Sequence, residues 1–164
     1  MNYRREQRLI YSKDEICELY GTDDLEFITS RSPYISNISG ELFVYKSGRG
    51  HIDLIEQLAV RLREDHPVYI SFEDALSKWG VISQVPMRLI VATTGKSGEY
   101  VTDFGFIEFC HVEHTDEQIR ENTLDTSSPL RIAKKIWAYQ DLKIADRNMH
   151  MIDFDELLSI DEMD

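Results

Sequence analysis

The stretch from Val68 to Val112, VYISFEDALSKWGVISQVPMRLIVATTGKSGEYVTDFGFIEFCHV, leaves few choices of fold. Val68, Tyr69 and Ile70 make a short apolar β run after Pro67. Ser71 is placed to cap a helix, with Asp74 three residues on as a short form of the capping box. Phe72, Ala75, Leu76 and Trp79 then share one helical face, and Gly80 sits where a helix stops. After Pro86 two β-rich segments, Met87 to Thr94 and Glu99 to Asp103, flank a turn holding Gly95 and Gly98. A third, Phe106 to Val112, follows Gly105. The order predicts a strand, a helix and a small antiparallel meander.

Upstream, Ser12 with Glu15 forms a capping box opening a helix from Lys13 to Tyr20 that ends at Gly21, with Ile16, Leu19 and Tyr20 as its apolar face. Thr22 is the expected cap of a second helix, with Leu25 and Ile28 facing inward and Pro33 beyond its end. Tyr34 to Ile38 and Glu41 to Lys46 alternate around Ser39-Gly40, a hairpin pattern. Two short helices and a hairpin is the order of a winged helix-turn-helix. Its reading helix would be DDLEFITS, which begins with acids and has no basic residue. The candidate DNA-facing cations are Arg31, Lys46 and Arg49, with Arg4, Arg5 and Arg8 as a basic arm. The competing reading is a degenerate winged helix kept for packing or dimerisation.

Gly48-Arg49-Gly50 reads as a joint. A helix from His51 to Asp65 should bury Ile52, Ile55, Ala59 and Leu62, widened by Leu54 and Leu58, and turn Asp53, Glu56, Arg63 and Glu64 to water. Beyond His114, Thr115 caps a helix over Asp116 to Asn122, and Thr123 to Ser128 is loop. Pro129 is expected to open a long helix capped by Ser128, burying Leu130, Ala133, Ile136, Trp137 and Leu142 and exposing Lys134 and Lys135. A last short helix is expected around Phe154 to Leu158.

The net charge is −12 over 164 residues. Residues 1–50 carry 7 basic and 8 acidic side chains, residues 51–144 carry 10 and 15, and residues 145–164 carry 1 and 7. Such a chain is repelled from nucleic acid at long range, so any DNA contact needs a local basic face, and the near-neutral first third is the place for one. The acidic tail fits either solubility or a partner-binding role. No apolar run approaches the ~20 residues that span a bilayer, and the opening MNYRREQRLIY lacks a signal-peptide core, so a cytoplasmic, membrane-free protein is expected. The two cysteines, Cys17 and Cys110, have no CxxC partner and read as reduced thiols.

Three patterns invite a chemical reading and fail it. Cys110, His111, Glu113 and His114 alternate between the two faces of a strand and lack a second ligand pair, so no metal site is expected. Gly95-Lys96-Ser97 ends like a phosphate-binding loop, but Ile90 stands where its first glycine is required. Ser97 has no nucleophile motif around it. No catalytic residue and no cofactor is expected. Trp79, Trp137, Phe104, Phe106 and Phe109 read as core.

The words YISFEDAL, WGVISQVPMRLIVATTG and GFIEFCHV, and later RIAKKIWAYQDL followed by DRNMHMIDFDEL, resemble the AbiEi family of antitoxins from type IV toxin–antitoxin systems. The resemblance covers Pro67 to Leu158 and is weak over the first third. It implies an α+β protein: a winged-helix-like lobe over residues 1–47, then an α/β antitoxin lobe over residues 51–164 with a small antiparallel sheet and flanking helices. It further implies a cognate nucleotidyltransferase-like toxin as functional partner, and operator DNA for the first lobe, since full-length family members bind their own promoter through such a domain. Two rival readings are a transcriptional regulator without a toxin partner and an acidic mobile-element inhibitor of a nucleic-acid-processing protein.

Overall fold

In the computed structural model, residues 8–46 and 53–160 are described. The fold is α+β, in two compact units, Met1–Ile52 and Asp53–Asp164. The expected joint Gly48-Arg49-Gly50 lies outside the described residues.

The first unit runs β1 (Ile10–Ser12), α1 (Lys13–Tyr20), α2 (Leu25–Arg31), β2 (Ile35–Asn37) and β3 (Leu42–Tyr45). The capping box at α1 forms as expected: Glu15 N–H donates to Ser12 Oγ at 3.3 Å, and Ser12 N–H to Glu15 Oε2 at 2.8 Å. Gly21, at φ +65°, closes the helix in the left-handed region that a side chain disfavours. The cap of α2 is Asp24 rather than Thr22, because its carboxylate reaches Phe27 N–H at 2.9 Å while Thr22 Oγ1 accepts from Asp24 N–H. The hairpin pairs β2 with β3 antiparallel, and β1 joins the other side of β3. Ile16, Cys17, Ile28 and Phe43 form the core, with Tyr11, Leu25 and Ile35 against it. Leu19 and Tyr20 are instead 67% and 41% exposed. At roughly 100° per residue, Leu19 lies about 110° from the bisector of Ile16 and Cys17, and Tyr20 comes at the helix end.

The second unit begins with α3 (Leu54–Leu62), which buries Leu54, Leu58 and Ala59; His51 and Ile52 fall outside the described residues. It continues through β4 (Val68–Ile70), α4 (Phe72–Lys78), β5 (Leu89–Thr93), β6 (Gly98–Thr102) and β7 (Gly105–His111). Then follow α5 (Asp116–Asn122), β8 (Thr123–Leu124), β9 (Arg131–Ala133), α6 (Lys135–Ile144), a 3-10 turn at Met149–Met151, and α7 (Phe154–Leu158). The sheet has six strands in the order β6-β7-β5-β4-β9-β8.

This sheet corrects the expected small meander. β5 does not pair with β6; it lies parallel to β7 on one side and antiparallel to β4 on the other. All five residues of β5 are buried, as in a central strand covered on both faces, whereas β6 alternates as an edge strand does. Gly105 permits the closeness of α3, since a Cβ there would stand 2.7 Å from Ile55 Cδ1.

The long helix expected from Pro129 is also corrected. Residues 131–133 pair as β9, parallel to β4 with Tyr69 opposite Arg131 and Ile70 opposite Ile132. α6 starts only at Lys135. Sheet pairing overrides local helix preference here. Leu130, Ala133 and Leu142 are buried as expected, but Ile136 is 45% exposed, Trp137 is half-buried, and Lys135 is buried. The expected loop after α5 opens with the two-residue strand β8. α5, capped by Thr115 and Gln118, and α7, capped by Asp153, form where expected.

Candidate functional site

Ser71 does not use its side chain to cap α4. Its hydroxyl, fully buried, donates to Asp141 Oδ2 at 2.6 Å, and the Tyr69 hydroxyl donates to the same oxygen at 2.9 Å. His114 Nε2 lies 2.8 Å from Asp141 Oδ1. Trp137 Nε1 donates to the Tyr69 hydroxyl at 3.4 Å, and its ring centroid is 4.6 Å from that of His114. Burial, then the charge of Asp141, raises the Tyr69 phenol well above its ordinary value of 10.0, so it stays a donor. Asp141 is buried inside α6, and three polar groups from distant segments satisfy it. Ser71 and His114 each bond to Asp141, an arrangement unlike the serine–histidine contact that activates a nucleophile.

Asp74, expected in the capping box, instead accepts from Ile90 N–H at 3.2 Å and from Lys78 Nζ at 2.6 Å, tying α4 to β5. Trp79, at the end of α4, is half-buried and donates Nε1 to Ala133 O at 2.9 Å.

A second polar cluster centres on Arg147, between two non-glycine residues in the left-handed region, Asp146 at φ 52° and Asn148 at φ 37°. Arg147 Nε donates to Glu73 Oε1 and Oε2 at 3.0 and 3.2 Å. Its Nη1 donates to Glu108 Oε1 at 2.5 Å and lies 3.4 Å from Cys110 Sγ. The guanidinium carbon stands 5.5 Å from the Phe72 ring centroid. Asn148 Nδ2 donates to Glu73 Oε1 at 2.7 Å. Arg88 Nη1 lies 3.3 Å from both Glu108 Oε2 and Glu99 Oε1.

Burial alone would raise the Glu108 carboxyl, but the hydrogen bond and charge of Arg147, helped by Arg88, hold it below its ordinary value of 4.5. Burial by itself lowers the Arg147 value, and its bonds to Glu108 and Glu73 more than reverse that. Burial pushes the Cys110 thiol up to about 12, with Arg147 opposing. That thiol is a poor nucleophile at neutral pH. Glu73, Arg88, Glu108 and Arg147 line a hollow of ≈ 460 Å³ together with Ile82, Ile90, Met151, Val85 and Met87. Val85 and Met87 are 78% and 92% exposed.

The candidate DNA-facing cations sit in the first unit. Arg8 pairs with Glu15 at 2.7 Å, donates Nε to Ile10 O at 3.0 Å, and stands 5.2 Å from the Tyr11 ring centroid. It braces β1 against α1. Arg31 belongs to the last turn of α2 rather than following it, with its guanidinium 4.9 Å from the Phe27 ring centroid. Lys46 follows β3, and its N–H donates to Tyr34 O at 2.6 Å. The β1–β3 register carries Arg8 and Lys46 to the same end of that ladder, while Arg31 stands on α2. Arg4, Arg5 and Arg49 lie outside the described residues.

The strand residues weighed as metal ligands go to separate partners: Cys110 to Arg147, His111 Nδ1 to Gly95 O at 2.8 Å, and His114 to Asp141. Among the described residues no group of three or more ligating side chains is within reach of one ion. Arg63, expected in water, sets its guanidinium 4.2 Å from the Phe109 ring centroid and donates to Lys96 O.

Sequence reasoning missed Asp141, Arg147, Glu73 and Glu108 as site residues. One signal was present, since Glu108 interrupts the apolar run FIEFC. Asp141 and Arg147 carry no comparable mark. Compared with known proteins, the chain matches no family model and no curated protein. Among the described residues no helix is long and apolar enough to cross a membrane.

Proposed function

We propose that the protein is the cytoplasmic antitoxin of a type IV-like toxin–antitoxin pair, acting without catalysis against a nucleotidyltransferase-like toxin encoded beside it. One observation carries the reading. The separate words on which the resemblance rests converge in space within the second unit. Tyr69, Ser71 and Glu73 come from YISFEDAL, Ile90 from WGVISQVPMRLIVATTG, Glu108 and Cys110 from GFIEFCHV, Asp141 from RIAKKIWAYQDL, and Arg147 from DRNMHMIDFDEL. They meet in two polar clusters anchored on α4 and on the strand leading into it. A shared pattern of words that gathers at one strand and the helix after it is better support than the same words scattered over a surface.

The protective activity belongs, on this reading, to residues 51–164. The first unit, two helices followed by a hairpin, serves as a winged helix for operator DNA through Arg31 and Lys46, with Arg4, Arg5, Arg8 and Arg49 added. The test is co-expression of the full chain, and separately of residues 51–164, with the neighbouring nucleotidyltransferase-like protein, with growth as the readout. Rescue by both is expected. Failure of the full chain to rescue overturns the antitoxin reading. Rescue by the full chain alone, with a soluble folded fragment, overturns the assignment to the second unit.

A further inference from the structure

β6 lies at the edge of its sheet, and among the described residues no strand covers its outer side. An edge strand turns alternate N–H and C=O groups outward, and proteins usually blunt such an edge with proline, lysine or a bulge. The sequence of β6, GEYVT, has neither proline nor lysine. Its register with β7 runs unbroken from Gly98 opposite Phe109 to Thr102 opposite Gly105, with no bulge. On one sheet face Val101 stands opposite Phe106 and Glu99 opposite Glu108. Val101 is 73% exposed and Phe106 is 49% exposed, so this edge offers an uncovered apolar pair. Beside it stands Glu99, whose side chain is 69% exposed and which shares the exposed Arg88, at 3.3 Å, with Glu108, so that one cation faces two carboxylates there. Between residues 53 and 160 there are 19 acidic and 11 basic side chains.

We propose that β6 is a docking strand for an extended segment of a partner protein, with a basic side chain opposite Glu99 and an apolar one opposite Val101. The two are spaced two residues apart, because that spacing returns a strand to the same face. Backbone bonds to the edge supply affinity and the two side chains supply selectivity. A second copy of β6 would bring no cation to Glu99, and two chains of charge −12 repel. The inference stands on the geometry of the sheet and does not depend on the antitoxin reading.

The test uses the full chain and two labelled synthetic peptides, one with the core Lys-Thr-Val-Thr-Val and one with Glu-Thr-Val-Thr-Val. Anisotropy titration measures binding, and amide hydrogen exchange locates it. The lysine peptide should bind about fivefold more tightly than the glutamate peptide, the scale of one good cross-strand pair. It should protect amides of Gly98–Thr102. Glu99→Lys, at an exposed position, should reverse the order of the two peptides, and Val101→Lys should abolish binding of the lysine peptide, both with an unchanged circular dichroism spectrum. Absence of binding, equal binding of both peptides, an order that Glu99→Lys does not reverse, or protection elsewhere overturns the proposal. So does sedimentation showing that the chain alone self-associates with β6 protected.

Discussion

The two units hold themselves together in different ways. In the first, the side-chain bonds described above are local: Ser12 to Glu15 and Asp24 to Phe27 span three residues, as does Gly40 N–H to Asn37 Oδ1, and Arg8 to Glu15 spans seven. Its buried cluster of Ile16, Cys17, Ile28 and Phe43 is wholly nonpolar apart from one thiol. In the second unit, buried or nearly buried polar groups join segments far apart in sequence. Asp141 reaches back to Tyr69 and Ser71, and Arg147 to Glu73 and Glu108. A small unit cannot bury much apolar area and depends on each core side chain, whereas the second unit can accommodate polar connectors that fix which segments meet.

Both tryptophans, Trp79 and Trp137, lie in the second unit, so their fluorescence separates the two. The largest effect is expected from Phe43→Ala, at a side chain that is 0% exposed, with a loss of about 3–5 kcal/mol. Stability on that order is all that a unit this small is expected to have, so the first unit should unfold. Urea titration followed by circular dichroism should show an early loss of signal, with the tryptophan transition unmoved. A shift of both transitions would mean that the units fold as one, and the contrast between them would fail.

Asp141→Asn comes next. The amide keeps one acceptor oxygen but brings an NH2 group into a site that offers donors from Tyr69 and Ser71. A loss of about 1–3 kcal/mol in the tryptophan-detected transition is expected. An unchanged midpoint would mean that the carboxylate does not organise the unit. Ser12→Ala removes one side of the capping box and should cost about 1 kcal/mol, confined to the first unit.

The smallest effect is one of pH. The Glu108 value lies below 4.5 in the fold, so its stabilisation is fully present above the unfolded value and is lost as pH falls through the lower folded one. The tryptophan-detected stability of the wild type should therefore fall more steeply with acidification below about pH 4.5 than that of Glu108→Gln. Parallel curves would remove the Arg147–Glu108 pair from the account of this unit.

The same division explains what could be read in advance. The α1 capping box, the hairpin around Ser39-Gly40, the Thr115 cap and α7 were legible because the residues that decide them are adjacent in sequence. The placement of β5 was half-legible. Its unbroken apolar run LIVAT marks a central strand, and EYVT alternates as an edge strand should, but the presence of the turn glycines Gly95 and Gly98 suggested direct pairing instead. β9 was not legible, since Arg131 to Ala133 becomes a strand only because β4 offers an open edge. The candidate site was least legible of all. Asp141 and Arg147 look like ordinary surface charges until partners 27 to 74 residues away are in place.

Lys135 opens α6 yet is only 1% exposed, and its ammonium donates to Glu156 O, Ser159 O and Ser159 Oγ at 3.0, 2.7 and 3.1 Å. The end of α7 is thus latched from inside the protein by a cation rather than laid against its surface. Truncation before Ser159 would take the Ser159 carbonyl and hydroxyl away from that ammonium. A version of the second unit meant to keep this latch therefore has to include Ser159, and a cut after Leu158 would be felt at a distance, at the start of α6 and the helix that carries Asp141.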